Sequence, residues 1–158
     1  MSGFTWKAMD MAYHAHNGQT RKDGSSVFQH AHRVVEMCPD DTHTCAVAWM
    51  HDVVEDSDKT VTDIREVFGD VVADAVDAIS RREDEPYFDY IRRCKQNDIA
   101  RQVKLFDLTD NNQPDQLRDL GEEGLIDRCM TAVAILISDD TNDIGHLIGR
   151  NNKEKDDV

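Results

Sequence analysis

Apolar side chains recur at intervals of three and four residues along most of this chain, and this spacing limits the folds that are open to it. Val72, Ala75, Val76 and Ile79 form one such stripe, and similar stripes occur before and after it. Residues at this spacing lie on one face of an α-helix, whereas a half-buried strand alternates apolar and polar residues. Only three prolines interrupt the 158 residues. The pattern therefore predicts an all-α fold.

The stripes divide the sequence into segments of ordinary helical length. A polar segment, NGQTRKDGS at positions 17–25, follows the first stripe, and a charged segment, RNNKEKDDV, ends the sequence at positions 150–158. A chain of this length has room for one sizeable core. We expect one domain over residues 1–149 and a charged, flexible tail over residues 150–158. The predicted helices cover about 4–16, 26–37, 42–54, 60–67, 69–80, 86–95, 97–110 and 124–138.

Charge and composition restrict the partners of this protein. Its formal net charge is −14, so its field repels phosphate and excludes binding of duplex nucleic acid over a broad face. A phosphate-containing ligand would need a local positive site, built from a metal ion and a few Lys or Arg side chains. No apolar run is long enough to span a membrane. Four scattered cysteines and no recognisable secretion signal predict reduced thiols and a cytoplasmic location.

The most specific polar feature is the dipeptide His51-Asp52 within WMHDVVEDSD. An imidazole and a carboxylate at a helix end can bind one metal ion together. If the helix continues, Glu55 lies one turn after His51 and Asp56 one turn after Asp52, so four titratable groups crowd one helix end. Such crowding is unfavourable unless a cation is bound there. The alternative is an ordinary cluster of surface acids at a helix terminus, which a lone His-Asp dipeptide would favour.

Two further segments carry residues that can bind a metal. His30, in His30-Ala31-His32, lies at the edge of an apolar stripe and is a candidate third ligand. The alternative for this segment is a solvated helix face. Asp107 and Asn111 are four residues apart and can reach the same point in space. A carboxylate and a carboxamide suit a divalent ion and a phosphate-bound sugar, although Asn111 could simply cap the helix.

Together these segments resemble an HD-type site, in which one His, then a His-Asp pair, then a distant Asp hold a metal ion. The flanking sequence is more specific. HNGQTRKDG, HDVVED, residues 60–69 and VKLFDLTDN, in this order, are similar to the hydrolase domain of Rel/Spo-type alarmone enzymes. The similarity covers roughly residues 8–112, and the chain length resembles that of the stand-alone small alarmone hydrolases. It implies a single HD-domain helical bundle with a metal site between helices.

The resemblance also implies a cofactor and its ligands. The cofactor would be one divalent metal ion, Mn²⁺ by the habit of these enzymes, with Zn²⁺ and Fe²⁺ as alternatives. Two imidazoles and two carboxylates suit all three ions. The metal ligands carried over from the resemblance are His30, His51, Asp52 and Asp107.

The remaining residues that match the family concern the attacking water and the nucleotide. They imply a metal-dependent phosphohydrolase that removes pyrophosphate from the 3′ position of the guanosine alarmones ppGpp and pppGpp, with a small-molecule nucleotide as its substrate. By the resemblance, Glu55 and Asp56 orient or deprotonate the attacking water. It also implies that Arg21 and Lys22 contact guanine and that Asn111 faces the ribose. By the same resemblance, Lys104 lies near phosphate. For Lys104, a solvated helix position is an equal alternative.

Several positions depart from the family pattern and leave the substrate open. Residues 26–31 lack the Tyr and the two Pro that the family commonly has, and Leu108 stands where a basic residue is usual. The first alternative keeps the metal site with another nucleotide, as in an NADPH 2′-phosphatase, a nucleotidase or a dNTP hydrolase. The others are a nucleotide-binding protein without turnover and a structural helical protein with accidental acids. Glu55 and Asp56 argue against the binding protein, which need not keep water-activating groups.

The last helices carry more apolar residues than one small core needs. This surplus predicts a surface for a homo-oligomer, such as a dimer. The residues concerned are Leu125, Ile126, Ile135, Leu136, Leu147 and Ile148.

Overall fold

The computed structural model describes residues 2–111 and 123–138, and its regular structure there is helical. Within those residues the β pairing is limited to one isolated bridge between Thr20 and Ser26. The all-α prediction is therefore confirmed. The helices are α1 Gly3–Ala15, α2 Val27–Glu36, α3 Thr42–Met50, α4 Val53–Asp56, α5 Val61–Phe68, α6 Asp70–Ile79, α7 Tyr87–Lys95, α8 Asp98–Asn111 and α9 Glu123–Ile137.

The helix predicted for residues 42–54 is wrong in one respect, because it breaks at His51 and Asp52. The His51 ring donates from Nδ1 to the carbonyl of Ala48 at 2.8 Å. Asp52 lies at the edge of the helical region, with φ −103° and ψ −3°, and α4 starts anew after it. The continuous helix assumed from His51 to Glu55 is therefore interrupted, whereas Asp52 and Asp56 remain one helical turn apart, with the Asp56 amide donating to the Asp52 carbonyl at 3.0 Å. The other predicted helices are confirmed, with ends displaced by at most one residue.

Helix α3 lies at the centre of the domain and packs against α1, α2, α6 and α8. Its last five residues, from Ala46 to Met50, are all fully buried, and Trp49 is the largest of them. A helix that is apolar on every side is stable only when other elements surround it. Because this helix ends in the interior of the domain, the residue that follows it, His51, is also buried and is only 2% exposed.

Helix α9 packs against α7 and α8, and this contact changes the argument for an oligomer. Ile135 and Leu136 are buried in the core of the single chain, whereas Ile126 is exposed. The side chain of Leu125 lies outside the described residues, as do Leu147 and Ile148. Two of the six residues are thus used within the monomer, and the homo-oligomer stays a prediction.

No helix among the described residues combines the length and apolar character needed to cross a membrane. The segment expected to be a flexible tail, residues 150–158, lies outside the described residues. The boundary predicted at residue 149 lies there too.

Candidate metal centre

The predicted metal ligands come together where α2, the end of α3 and α8 meet. His30 Nε2 lies 3.2 Å from His51 Nε2 and 3.1 Å from Asp107 Oδ1. His51 Nε2 lies 3.1 Å from Asp52 Oδ2 and 3.8 Å from Asp107 Oδ1. Three of the side chains are almost completely buried, while that of Asp52 is 30% exposed and marks the side open to solvent. The alternative of a solvated face at His30 is therefore wrong.

The hydrogen bonds of the two imidazoles show that this cluster is built for a cation. His51 Nδ1 must be protonated, because it donates to the carbonyl of Ala48. His30 Nδ1 lies 2.6 Å from the carboxylate of Asp110, which also makes a protonated donor of that nitrogen. In the neutral rings both Nε2 atoms then carry lone pairs, and these face each other and the oxygens of Asp52 and Asp107. Lone pairs converging in a buried site repel each other unless a metal ion or a proton lies between them.

The electrostatics of the site also favour a bound cation. Burial alone would lower the pKa of His51, but the charges of Asp52 and Asp107 outweigh it and raise the pKa to about 9. The pocket thus attracts positive charge. Donor atoms of His30, His51 and Asp107 lie within 4.8 Å of one another, as in a metal site. Imidazole nitrogens with carboxylate oxygens form a donor set for a divalent transition metal.

We expect Mn²⁺, Zn²⁺ or Fe²⁺ to stabilise the protein, because a ligand that binds only the folded state shifts the unfolding equilibrium. At a metal concentration of roughly 100 times Kd, Tm should rise by about 5–10 °C. Differential scanning fluorimetry after chelator treatment measures this rise. Ca²⁺ is the matched control, since it prefers more ligands and only oxygens. An unchanged Tm with all three transition metals, or an equal rise with Ca²⁺, would contradict the assignment.

Asp110 is part of the site and was not predicted from the sequence. Besides accepting a hydrogen bond from His30, its carboxylate forms an ion pair with Arg33. Arg33 Nε lies 2.7 Å from Oδ1, and Arg33 Nη2 lies 3.0 Å from Oδ2. Burial would raise the pKa of Asp110, but the hydrogen bonds from Arg33 and His30 hold it below its usual value. Metal-binding histidines commonly donate their other ring N–H to a carboxylate. That habit, applied to the acid one turn after Asp107, was the signal that could have revealed Asp110.

Lys104, Asp107 and Asn111 follow one another along one side of α8. Lys104 Nζ lies 2.7 Å from Asp107 Oδ2, and Asn111 donates to Asp107 Oδ1 at 2.7 Å. Burial would raise the pKa of Asp107, but the charge of Lys104 outweighs it and holds the pKa well below its usual range. Lys104 thus lies mostly covered against a predicted metal-binding carboxylate and is not a solvated helix residue. Its predicted contact with phosphate stays a prediction.

The polar loop between α1 and α2 brings Arg21 to this line of residues. Arg21 donates to the side-chain oxygen of Asn111, and its guanidinium lies 3.7 Å from Asp110. The loop is held by the Arg21 amide, which donates to the Ser25 carbonyl at 2.8 Å. Lys22 is exposed in the same loop. The predicted nucleotide contacts Arg21 and Asn111 therefore lie together, beside the metal ligands.

Glu55 and Asp56, in the short helix α4, lie on the solvent side of the site. Glu55 Oε1 accepts a hydrogen bond from the backbone amide of Arg81 at 2.7 Å. Loss of solvation and the negative charge of Asp52 raise the pKa of both carboxyls. A carboxyl with a raised pKa can hold a proton at a pH nearer neutrality.

Comparisons with known proteins agree with this geometry. The family model described as "HD domain" matches residues 8–106, which is more than half of the chain. The chain belongs to the HD-domain family. It is 38% identical over 74 residues to a guanosine-3′,5′-bis(diphosphate) 3′-pyrophosphohydrolase of Vibrio cholerae, and 35% identical over 74 residues to the bifunctional (p)ppGpp synthase/hydrolase SpoT of Escherichia coli. Each alignment covers 45% of this chain, which spans only about 10% of the length of these curated relatives.

The HD fold is supported independently by a solved structure. A metazoan ortholog of SpoT, described as hydrolysing ppGpp, superimposes with a TM-score of 0.66 at 23% identity, over 86% of this chain and 84% of that one. At this identity the likeness establishes the fold alone. Three of the four predicted metal ligands lie inside the matched family span, and Asp107 follows directly after it.

The positions noted above as departures from the family pattern lie mostly in the core of this domain. Val27, Ala31 and Leu108 are all buried. Ser26 begins α2, where its hydroxyl accepts from the Gln29 amide. Ser is a favourable residue at this position. The replacements therefore concern packing and the start of α2, and they leave the metal ligands unchanged.

Proposed function

We propose that this HD-domain protein is a metal-dependent hydrolase that removes pyrophosphate from the 3′ position of guanosine alarmones. The observation that carries the proposal is the convergence of His30, His51 and Asp107 on one buried point, with Asp52 on its solvent side and both Nδ1 atoms already used as donors. The partial identity to relatives named as ppGpp pyrophosphohydrolases gives the substrate class.

The four ligands would hold one divalent ion, for which we propose Mn²⁺, with Zn²⁺ and Fe²⁺ as alternatives. Such an ion lowers the pKa of water and makes it a nucleophile near neutral pH. Glu55 and Asp56 would orient the attacking water and accept its proton, which fits the raised pKa of both groups. The exposed edge at Asp52 gives this water and the scissile phosphate access to the site.

Positive groups beside the site would bind the nucleotide. Arg21 lies beside Asn111, and we propose that these residues and Lys22 contact guanine and ribose. Arg81 is a further positive residue near the acidic pair, because its backbone amide donates to Glu55 at 2.7 Å.

This arrangement supplies the local positive charge that a protein of net charge −14 needs for a phosphate ligand. Lys104 contributes from the interior through its contact with Asp107. The same overall charge supports the proposal that duplex nucleic acid is not a partner. All four cysteines are free thiols, which supports a cytoplasmic location. A homo-oligomer remains part of the proposal, and sedimentation at 18.0 kDa alone would exclude it.

Hydrolysis of ppGpp by the Mn²⁺-loaded protein tests the proposed function, with products separated by ion-exchange chromatography. We expect GDP and pyrophosphate, and we expect Asp52→Ala to lose the activity because it removes the ligand that faces solvent. Asp58→Ala, an exposed acid two residues beyond α4, is the matched control and should keep it.

Other outcomes would change the assignment. A protein that binds metal but does not cleave ppGpp would favour the same site with another nucleotide, and NADPH and dNTPs would then be assayed. Nucleotide binding without any turnover would favour a binding protein. Charge reversal at Arg21 separates the substrates further, because it should impair a guanine nucleotide more than a small phosphate ester.

A further inference from the structure

His16 is a buried histidine for which the mechanism above has no role. It caps the end of α1, and only 1% of its surface is exposed. Its ring nitrogen Nε2 is buried without a hydrogen-bond partner in the described part of the chain. Buried polar atoms of this kind are uncommon, and they often mark a position that an ordered water or a ligand occupies.

The tautomer of His16 follows from the side chain of Gln19. The Gln19 amide nitrogen donates to two carbonyl oxygens, that of Ala15 at 3.2 Å and that of Asp56 at 2.7 Å. This fixes the orientation of the amide, so its oxygen points to His16 Nδ1, 2.9 Å away. An amide oxygen only accepts hydrogen bonds, and Nδ1 must therefore be the donor. In the neutral ring, Nε2 then carries a lone pair that can accept a hydrogen bond.

The same contacts join His16 to the acidic pair. Gln19 connects the end of α1 to the backbone of Asp56, 37 residues further along the chain. α1 also packs against α4, which carries Asp56. Asp52, His16 and His51 all act electrostatically on the Asp56 carboxyl, so the His16 ring is a neighbour of this carboxyl. Gln19 thus fixes the backbone of Asp56, and the His16 ring belongs to the surroundings of its side chain.

We propose that His16 is a positioning residue, whose Nε2 accepts a hydrogen bond from an ordered water that also contacts the Asp56 carboxyl. Gln19 would hold the Asp56 backbone and His16, through this water, would hold its side chain. The carboxyl is then kept in the orientation needed to accept a proton from the attacking water. This inference rests on the proposed function, because it assigns Asp56 its part in hydrolysis.

The test compares His16→Phe with His14→Phe. Phenylalanine keeps a buried ring at position 16 but removes the acceptor, and His14 lies on the same helix with an exposed side chain. We expect kcat of His16→Phe to fall by about 10- to 100-fold, since small misplacements of catalytic groups have effects of this order. KM and the metal Kd should be unchanged, and His14→Phe should match the parent protein. His16→Gln, which retains an acceptor oxygen, should recover part of the loss.

Other results would overturn the inference. An unchanged kcat in His16→Phe, or a metal Kd that weakens in parallel with kcat, would show that His16 has only a structural role. Thermal melts of all three variants identify any loss that comes from unfolding.

A measurement without substrate separates this inference from the proposed function. Ring ¹⁵N NMR of the protein loaded with diamagnetic Zn²⁺ should show His16 protonated at Nδ1, with a bound-water contact at Nε2. A proton on Nε2 in the neutral ring, or the absence of bound water there, would overturn the inference even if ppGpp is hydrolysed. If the wild-type protein hydrolyses no nucleotide, the proposed function and the catalytic part of the inference both fail, whereas the NMR result still decides the hydrogen bonding.

Discussion

Asp107→Asn should abolish divalent-metal binding and nucleotide hydrolysis, and it should lower the free energy of unfolding by about 3 kcal/mol. The carboxylate contacts His30 at 3.1 Å, and it neutralises Lys104, whose side chain is only 14% exposed. Removal of one partner leaves the other charge buried and unpaired. This loss of stability lies at the low end for buried ion pairs, because asparagine keeps a neutral oxygen near the Lys104 ammonium group. Isothermal titration with Mn²⁺ and chemical denaturation measure the two effects.

A second substitution in the same chain separates these effects. Lys104→Met added to Asp107→Asn should restore most of the stability, because it removes the unpaired charge, but it should not restore metal binding. If Asp107→Asn binds Mn²⁺ as tightly as the parent protein, Asp107 is not a metal ligand. If the double variant is no more stable than the single one, the loss does not come from Lys104.

Asp110→Asn should weaken metal binding by about 10- to 100-fold, the usual effect of losing a carboxylate that orients a metal-binding histidine. This group does not touch the metal in our assignment. It acts on His30 Nδ1, 2.6 Å away, and keeps the lone pair of Nε2 directed at the other ligands. Competition titration with a chromophoric chelator measures the Kd, and kcat/KM at limiting metal should fall in parallel.

A matched control for Asp110→Asn is Asp89→Asn on α7. Asp89 also pairs with an arginine, Arg92 at 2.8 Å, but on an exposed surface away from the cluster of ligands. This variant should keep the parent Kd. Equal affinity in the two variants would show that Asp110 only neutralises Arg33 and does not prepare His30 for a metal.

Local sequence patterns predicted most of the fold and the inner part of the site. The three- and four-residue spacing located the helices, because it reports directly which face of a helix is apolar. The metal ligands were predicted because His51-Asp52 and the segments around His30 and Asp107 resemble a known pattern. None of these predictions required knowledge of which helices are neighbours.

The features that were missed depend on contacts between distant segments. The partnership of Asp110 with His30 joins residues 80 positions apart, and only the general habit of metal-binding histidines points to it. Lys104 was left between two alternatives, since a lysine at helical spacing carries no sign of its burial beside Asp107. The break in the helix after Met50 was also missed, because it depends on the hydrogen bond that the His51 ring donates to the Ala48 carbonyl.

The complete burial of the last five residues of α3 also determines how the protein opens. Amide protons in a fully enclosed helix exchange with solvent through the largest unfolding events of a domain, whereas exposed loops open locally at little cost in free energy. His51 follows such a helix directly, while Arg21 and Lys22 lie in a polar loop. On the proposed function, fluctuations and sequence changes in that loop can therefore alter which nucleotide binds without disturbing the buried part of the metal site.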